Sequence, residues 1–279
     1  MLKTNKYSLI KNAAVLGVAT LSLSLIATSS SFSDGHIYGE NNPVTVKGYK
    51  GSKTDSTAYT GQIARQLQHN SLKKIVSKGN PNDPSSNTLN KMMNYFENKD
   101  KAKTMAILDP KSSSKFPVKQ KIVGEISTGS NLAGKADERP QLSWPNNMSG
   151  SDVIRFMIKK ASKISGGVDM RNGMNYPQLI SKYTMGAVLY HQACDNYLDE
   201  KMTASNKPND KPYKKGAPYT GKEHSWDEAF GYWGAAAHTM TLSAKQSYDV
   251  AKKKDFKAAD FNKDGAVSYT HLTLPTTYT

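Results

Sequence analysis

Four side chains able to bind a cation crowd one short stretch: Glu223, His224, Asp227 and Glu228. Thr220 and Glu223 have capping-box spacing, so a helix is predicted to start there. On that helix His224 meets Glu228 at i,i+4 and Asp227 at i,i+3. An imidazole with carboxylates at this spacing suits a divalent cation such as Fe or Zn. The competing reading is a well-capped helix start, whose acids complement the positive end of the helix dipole and stay in water. A second polar group, His191, Gln192, Asp195 and Asn196, sits on an otherwise apolar helical run. His191 and Asp195 are candidates to complete the metal shell from a facing helix. The alternative is that these side chains satisfy one another and the nearby backbone. Asp260, Asn262, Asp264 and Gly265 match the first half of a calcium loop, with oxygen ligands at positions 1, 3 and 5 and glycine at 6. The acid required at position 12 falls on His271, so calcium is expected only in a chain that continues differently.

These residues need helices to hold them. Trp226, Ala229, Phe230, Trp233 and Ala237 recur at three- and four-residue steps, which predicts an inward aromatic stripe on the helix that starts at Thr220. Asn175-Tyr-Pro177 opens the longest predicted helix, to about Met202, with Leu179, Tyr183, Ala187, Tyr190, Cys194 and Tyr197 on its inner face. A loop over 204–219 joins the two, so they are expected to pack antiparallel. Further helices are predicted from Tyr59 to about Lys78, over Thr88–Lys99 and Lys101–Leu108, from a Ser151 cap to Ser165 with Val153, Phe156, Met157 and Ile164 inward, and over Leu242–Lys254. Residues 109–149, with several Pro and Gly, read as a linker or an insertion wrapped on the bundle. Val44–Val46 and Lys121–Ile126 are candidate short strands.

The chain has 279 residues and a formal net charge of +15. Residues 1–33 read as a secretory signal peptide: Lys3, Lys6 and Lys11 precede an apolar run too short to span a membrane comfortably. The protein is therefore expected in the periplasm or secreted. Residues 34–58 form an extended lead-in, and the helical domain covers 59–265. The stretch Val267–Thr276 resembles the in-frame translation of a sequencing adapter, so 266–279 is read as a non-native tail and the domain as truncated. The lysines are scattered, with no basic stripe interleaved with aromatics, which argues against nucleic acid as a partner. No later segment reaches transmembrane length. Cys194 is the only cysteine; in mid-helix it reads as a small buried apolar residue.

Thr60-Gly-Gln-Ile-Ala-Arg65, Tyr190-His-Gln192, Tyr197-Leu198 and above all Glu223-His-Ser-Trp-Asp-Glu-Ala-Phe-Gly-Tyr-Trp-Gly234 resemble the domain of unknown function 4856 family, a distant relative of the imelysin-like proteins. The resemblance implies an all-α, extracytoplasmic helical bundle of imelysin type, here with long irregular insertions. Imelysin-like proteins carry a G-x-H-x-x-E motif linked with iron uptake or surface peptidase activity. Its nearest local counterpart is His224-Ser-Trp-Asp227, with Asp in place of Glu and Lys222 in place of Gly. The expected function is an exported, non-catalytic protein that binds a divalent metal or a metal-bearing ligand, its partner being that ligand or an envelope protein. The alternatives are a structural or interaction module without a ligand, and a metal-dependent peptidase with Glu228 as general base.

Overall fold

Four of the helices begin where the sequence supplies a side-chain acceptor for their first amide groups. In the computed structural model, Ser149 Oγ accepts from the Asp152 amide at 3.3 Å while Asp152 returns a carboxylate oxygen to the Ser149 amide at 3.2 Å. Asn175 Oδ1 accepts from the Gln178 amide at 3.1 Å. Ser243 and Gln246 form a further reciprocal box. Thr220 and Glu223 do the same, with the Thr220 amide donating to Glu223 Oε2 at 2.7 Å, as their spacing predicts. The structure describes residues 43–83, 87–97, 105–107, 120, 122–126, 131–206, 209–233, 242–252 and 254–260. Residues 1–33, expected to be a leader, and 266–279, expected to be a non-native tail, lie outside them.

Among these residues the helices are α1 (Thr60–Val76), α2 (Asn87–Glu97), α3 (Gly150–Ser162), α4 (Tyr176–Thr184), α5 (Gly221–Trp233) and α6 (Ala244–Ala251). The only sheet among the described residues is a two-stranded hairpin in which β1 (Val168–Asp169) pairs antiparallel with β2 (Met174–Asn175). The fold is all-α.

The long helix departs from its sequence reading. It begins at Tyr176, as the Asn175 cap and Pro177 predict, but past Thr184 it widens into π-helical turns over Met185–Tyr190 and Gln192–Glu200. The Lys201 amide reaches back five residues to Asn196 O at 3.0 Å. More residues per turn break a 3.6-residue pattern. Tyr190 is therefore 57% exposed, while Val188 and Ala193 are buried. Leu179, ahead of the π-turns, is 37% exposed because its neighbour Ile180 faces inward.

Two apolar clusters hold the elements. The larger joins the end of α1 (Leu72, Val76), α2 (Met92, Phe96), α3 (Val153, Ile154, Met157, Ile158), the long helix and the inner side of α5 (Ala229, Tyr232). The smaller gathers the start of α1 (Tyr59, Ile63, Leu67) with Ile107, Val123, Val250 and Ala259. α5 runs antiparallel to the π-helical segment: Lys222 Nζ donates to Met202 O, and farther along Tyr232 meets Tyr197 with ring centroids 5.8 Å apart. α5 also presses on α1 through Gly231, where a Cβ would stand 2.7 Å from the Cβ atoms of Tyr59 and Gln62. Only glycine fits that contact without movement.

Other expectations are corrected. Met105–Ile107 is not helical; Ala106 forms an isolated bridge with Ile122. The expected strand at 121–126 is a 3₁₀ turn over Val123–Glu125. Val44–Val46 is not a strand, although neighbouring Pro43 bridges Asp55. The α3 cap is Ser149, with Ser151 already inside the helix. Phe156 is 39% exposed and lies against Trp144, ring centroids 6.0 Å apart, because Val153, Ile154 and Ile158 fill the inward face. The irregular segment is wrapped on the bundle where described: the Asp137 amide donates to Ala187 O at 2.8 Å, and Gln192 Nε2 donates to Lys135 O at 2.9 Å.

Candidate functional site

The head of α5 brings some of the predicted ligands together and separates others. His224 Nε2 stands 3.6 Å from Glu228 Oε2, one helical turn away. The imidazole is held between two rings of the preceding loop, Tyr219 stacked at 4.7 Å and Tyr213 at 4.6 Å. Glu228 also accepts from Gln62 Nε2 at 2.7 Å, which ties it to α1. Tyr197 adds a further hydrogen bond to Glu228; burial first, and then the charge of Glu228, hold that phenol well above its usual range. Asp227 faces the lead-in, where its Oδ2 accepts from the Ala58 amide at 2.5 Å. Glu223 is spent on the Thr220 cap and on Thr45 Oγ1. His224 and Glu228 are thus neighbours, while Asp227 and Glu223 serve other contacts.

Asp227 is the most unusual acid of this group. It is 4% exposed, and its Oδ1 has no hydrogen-bond partner among the described residues. Burial, only partly offset by the Ala58 amide, pushes its carboxyl well above the usual carboxylate range.

The predicted aromatic stripe is not the buried face of α5. Trp226 and Trp233 are 52% and 69% exposed, and Phe230 is only partly buried, against Tyr59 at a centroid distance of 5.7 Å. The buried side is Gly221, Ser225, Asp227, Ala229, Gly231 and Tyr232. Small residues turn inward because α1 and the long helix approach closely, leaving no room for an indole.

The second predicted group lies on the π-helical run. His191 Nδ1 is 3.0 Å from Asp195 Oδ2. Both meet a residue that sequence reasoning missed, Asp137, from the irregular segment. One ligand atom each from Asp137, His191 and Asp195 lie within 4.8 Å of one another, the one such trio among the described residues. Arg139 clamps the two carboxylates: its Nε and Nη2 donate to Asp137 at 2.8 Å each, and Nη2 donates to Asp195 at 2.6 Å. These bonds hold the Asp137 carboxyl down at about 2, below its usual range; the Asp195 carboxyl is also lowered, first by its hydrogen bond with His191. Asp137 and Arg139 had no periodic signal to reveal them. Their position follows from backbone bonds of the segment to Ala187 and Gly150.

Of the calcium-loop residues, Asp260 ends a short 3₁₀ turn, its amide 3.3 Å from Lys257 O. Asn262 and Asp264 lie outside the described residues.

The fold and this geometry define an all-helical domain with a carboxylate–imidazole cluster on a π-helical segment. The family model described as a domain of unknown function (DUF4856) matches residues 38–264, and the chain belongs to that family. No curated protein and no solved structure matches the chain. No helix among the described residues is long and apolar enough to cross a membrane.

Proposed function

We propose that this domain is an exported, non-catalytic binding protein whose ligand is a divalent transition-metal cation or a metal-bearing compound. The observation that carries the reading is the convergence of Asp137, His191 and Asp195, within 4.8 Å, from two separate parts of the chain. One imidazole with two carboxylates is a mixed nitrogen and oxygen set, suited to Fe, Zn or Mn. π-Turns inside helices frequently accompany functional sites, and His191 lies where two of them meet. Arg139 now neutralises the carboxylates, but its side chain is 66% exposed and free to swing outward as a cation arrives. The leader pattern of residues 1–33 supports export.

The test is calorimetric titration of the metal-stripped chain with Zn²⁺, and with Fe²⁺ under anaerobic conditions. Binding should weaken at least tenfold in His191→Ala and stay unchanged in His224→Ala. Equal affinity of His191→Ala and the parent would remove the site. The second reading, an interaction module without a ligand, is favoured by Arg139 itself, which already satisfies both carboxylates. It predicts no heat with any divalent cation.

A further inference from the structure

A cleft of about 290 Å³ opens at the head of α5, at the small end of ligand pockets (~300–1,000 Å³). Its walls include Trp226, Asp227, Glu223, Thr45 and Asn209, with the lead-in on one side and the 209–220 loop on the other. It shares no residue with the Asp137–His191–Asp195 trio.

The charges around it are already used. Glu223 takes donors from Thr220 and Thr45. Lys222, also in the wall, gives its ammonium to the carbonyls of Met202 and Thr203. What the cleft offers is a half-exposed indole, an amide whose oxygen accepts from Thr220 Oγ1 at 2.7 Å, and a buried carboxyl whose Oδ1 lacks a partner. Among the described wall residues an anion would find no free cation, and a cation only Asp227, whose burial favours the neutral acid. A neutral ring with an apolar C–H face and a hydroxyl rim would find everything it needs. Its C–H bonds present positive hydrogens to the negative face of the indole. A hydroxyl both donates and accepts, so it pairs with the Asp227 carboxyl in either protonation state. Burial favours the neutral acid there, which again suits an uncharged ligand.

We propose that this cleft binds a pyranose ring, stacked on Trp226 and hydrogen-bonded through its hydroxyls to Asp227 and Asn209. The ligand class is a neutral saccharide, free or at the end of a glycan.

Saturation-transfer difference NMR on the full chain, in EDTA, tests this independently of the metal reading. The panel is methyl β-glucopyranoside, methyl α-mannopyranoside, methyl β-galactopyranoside and N-acetylglucosamine, with spermidine as a cationic control. At least one sugar should receive saturation, strongest on the C–H protons of one ring face. Trp226→Ala should weaken that binding at least tenfold with an unchanged circular dichroism spectrum and melting temperature, and Trp226→Phe should restore most of it. Asp227→Asn should weaken it several-fold. Three results would each overturn the proposal: no transfer to any sugar, transfer unchanged in Trp226→Ala, or a Trp226-dependent response to spermidine alone.

Discussion

Replacing Asp137 by Asn removes one charge from the Arg139 clamp while keeping an oxygen for the Arg139 amide, now 3.0 Å from Asp137 Oδ1. A carboxyl that ionises at about 2 in the fold and at 3.8 unfolded would contribute about 2.5 kcal/mol at neutral pH if nothing screened it. Arg139 is 66% exposed, and water reduces that to about 1 kcal/mol. The sign follows from the lowered folded value. The stabilisation is complete above 3.8, falls as pH drops through about 2, and is gone below that, where both states are protonated. Urea denaturation in EDTA should therefore show Asp137→Asn less stable by about 1 kcal/mol at pH 7. The gap should narrow at pH 3 and close below pH 2. The same variant should lose metal affinity by tenfold or more, since an amide is a poor substitute for a carboxylate. A stability gap that persists undiminished at pH 2 would refute the electrostatic account, because the lost contribution would then be shape or neutral hydrogen bonding.

His69 is 6% exposed, and its Nε2 donates to Ser181 O at 3.0 Å, so Nε2 must carry the proton. Burial lowers its pKa from 6.5, so its contribution is complete above 6.5 and is lost as pH falls below it. His69→Gln should flatten the stability profile between pH 5 and 7 measured by thermal melting, and an unchanged slope there would exclude His69 as its source. Gly231→Ala forces a Cβ to 2.7 Å from Tyr59 and Gln62 and should cost about 1–3 kcal/mol in denaturant titration. Trp233→Ala, at a side chain 69% exposed, should change stability by no more than about 0.5 kcal/mol, whereas an inward stripe would demand about 3–5 kcal/mol.

The helical body was legible because its signals are local. Thr220 with Glu223, Asn175 with Pro177, and the i,i+4 spacing of Val153 and Met157 each act within a few residues, through caps and periodicity that any helix obeys. The head of α5 was legible in part for the same reason: His224 and Glu228 are one turn apart wherever that helix sits. The inward face of α5 was not legible. Periodicity gave it a stripe of indoles, but the close approach of α1 and the long helix selected Ser225, Ala229 and Gly231 and turned both Trp side chains outward.

The pairing of His191 and Asp195 with Asp137 needed still more. Asp137 lies more than fifty residues away, in a stretch without regular spacing, and only its backbone bonds to Ala187 and Gly150 bring it to the π-helical run. By itself the sequence determined which segments are helices, where they start, and which side chains share a turn, because those are short-range properties of the chain. Tertiary structure alone decided which faces meet, which acid lost its water at Asp227, and which three ligand atoms converge, because burial and long-range contact depend on how every helix packs at once.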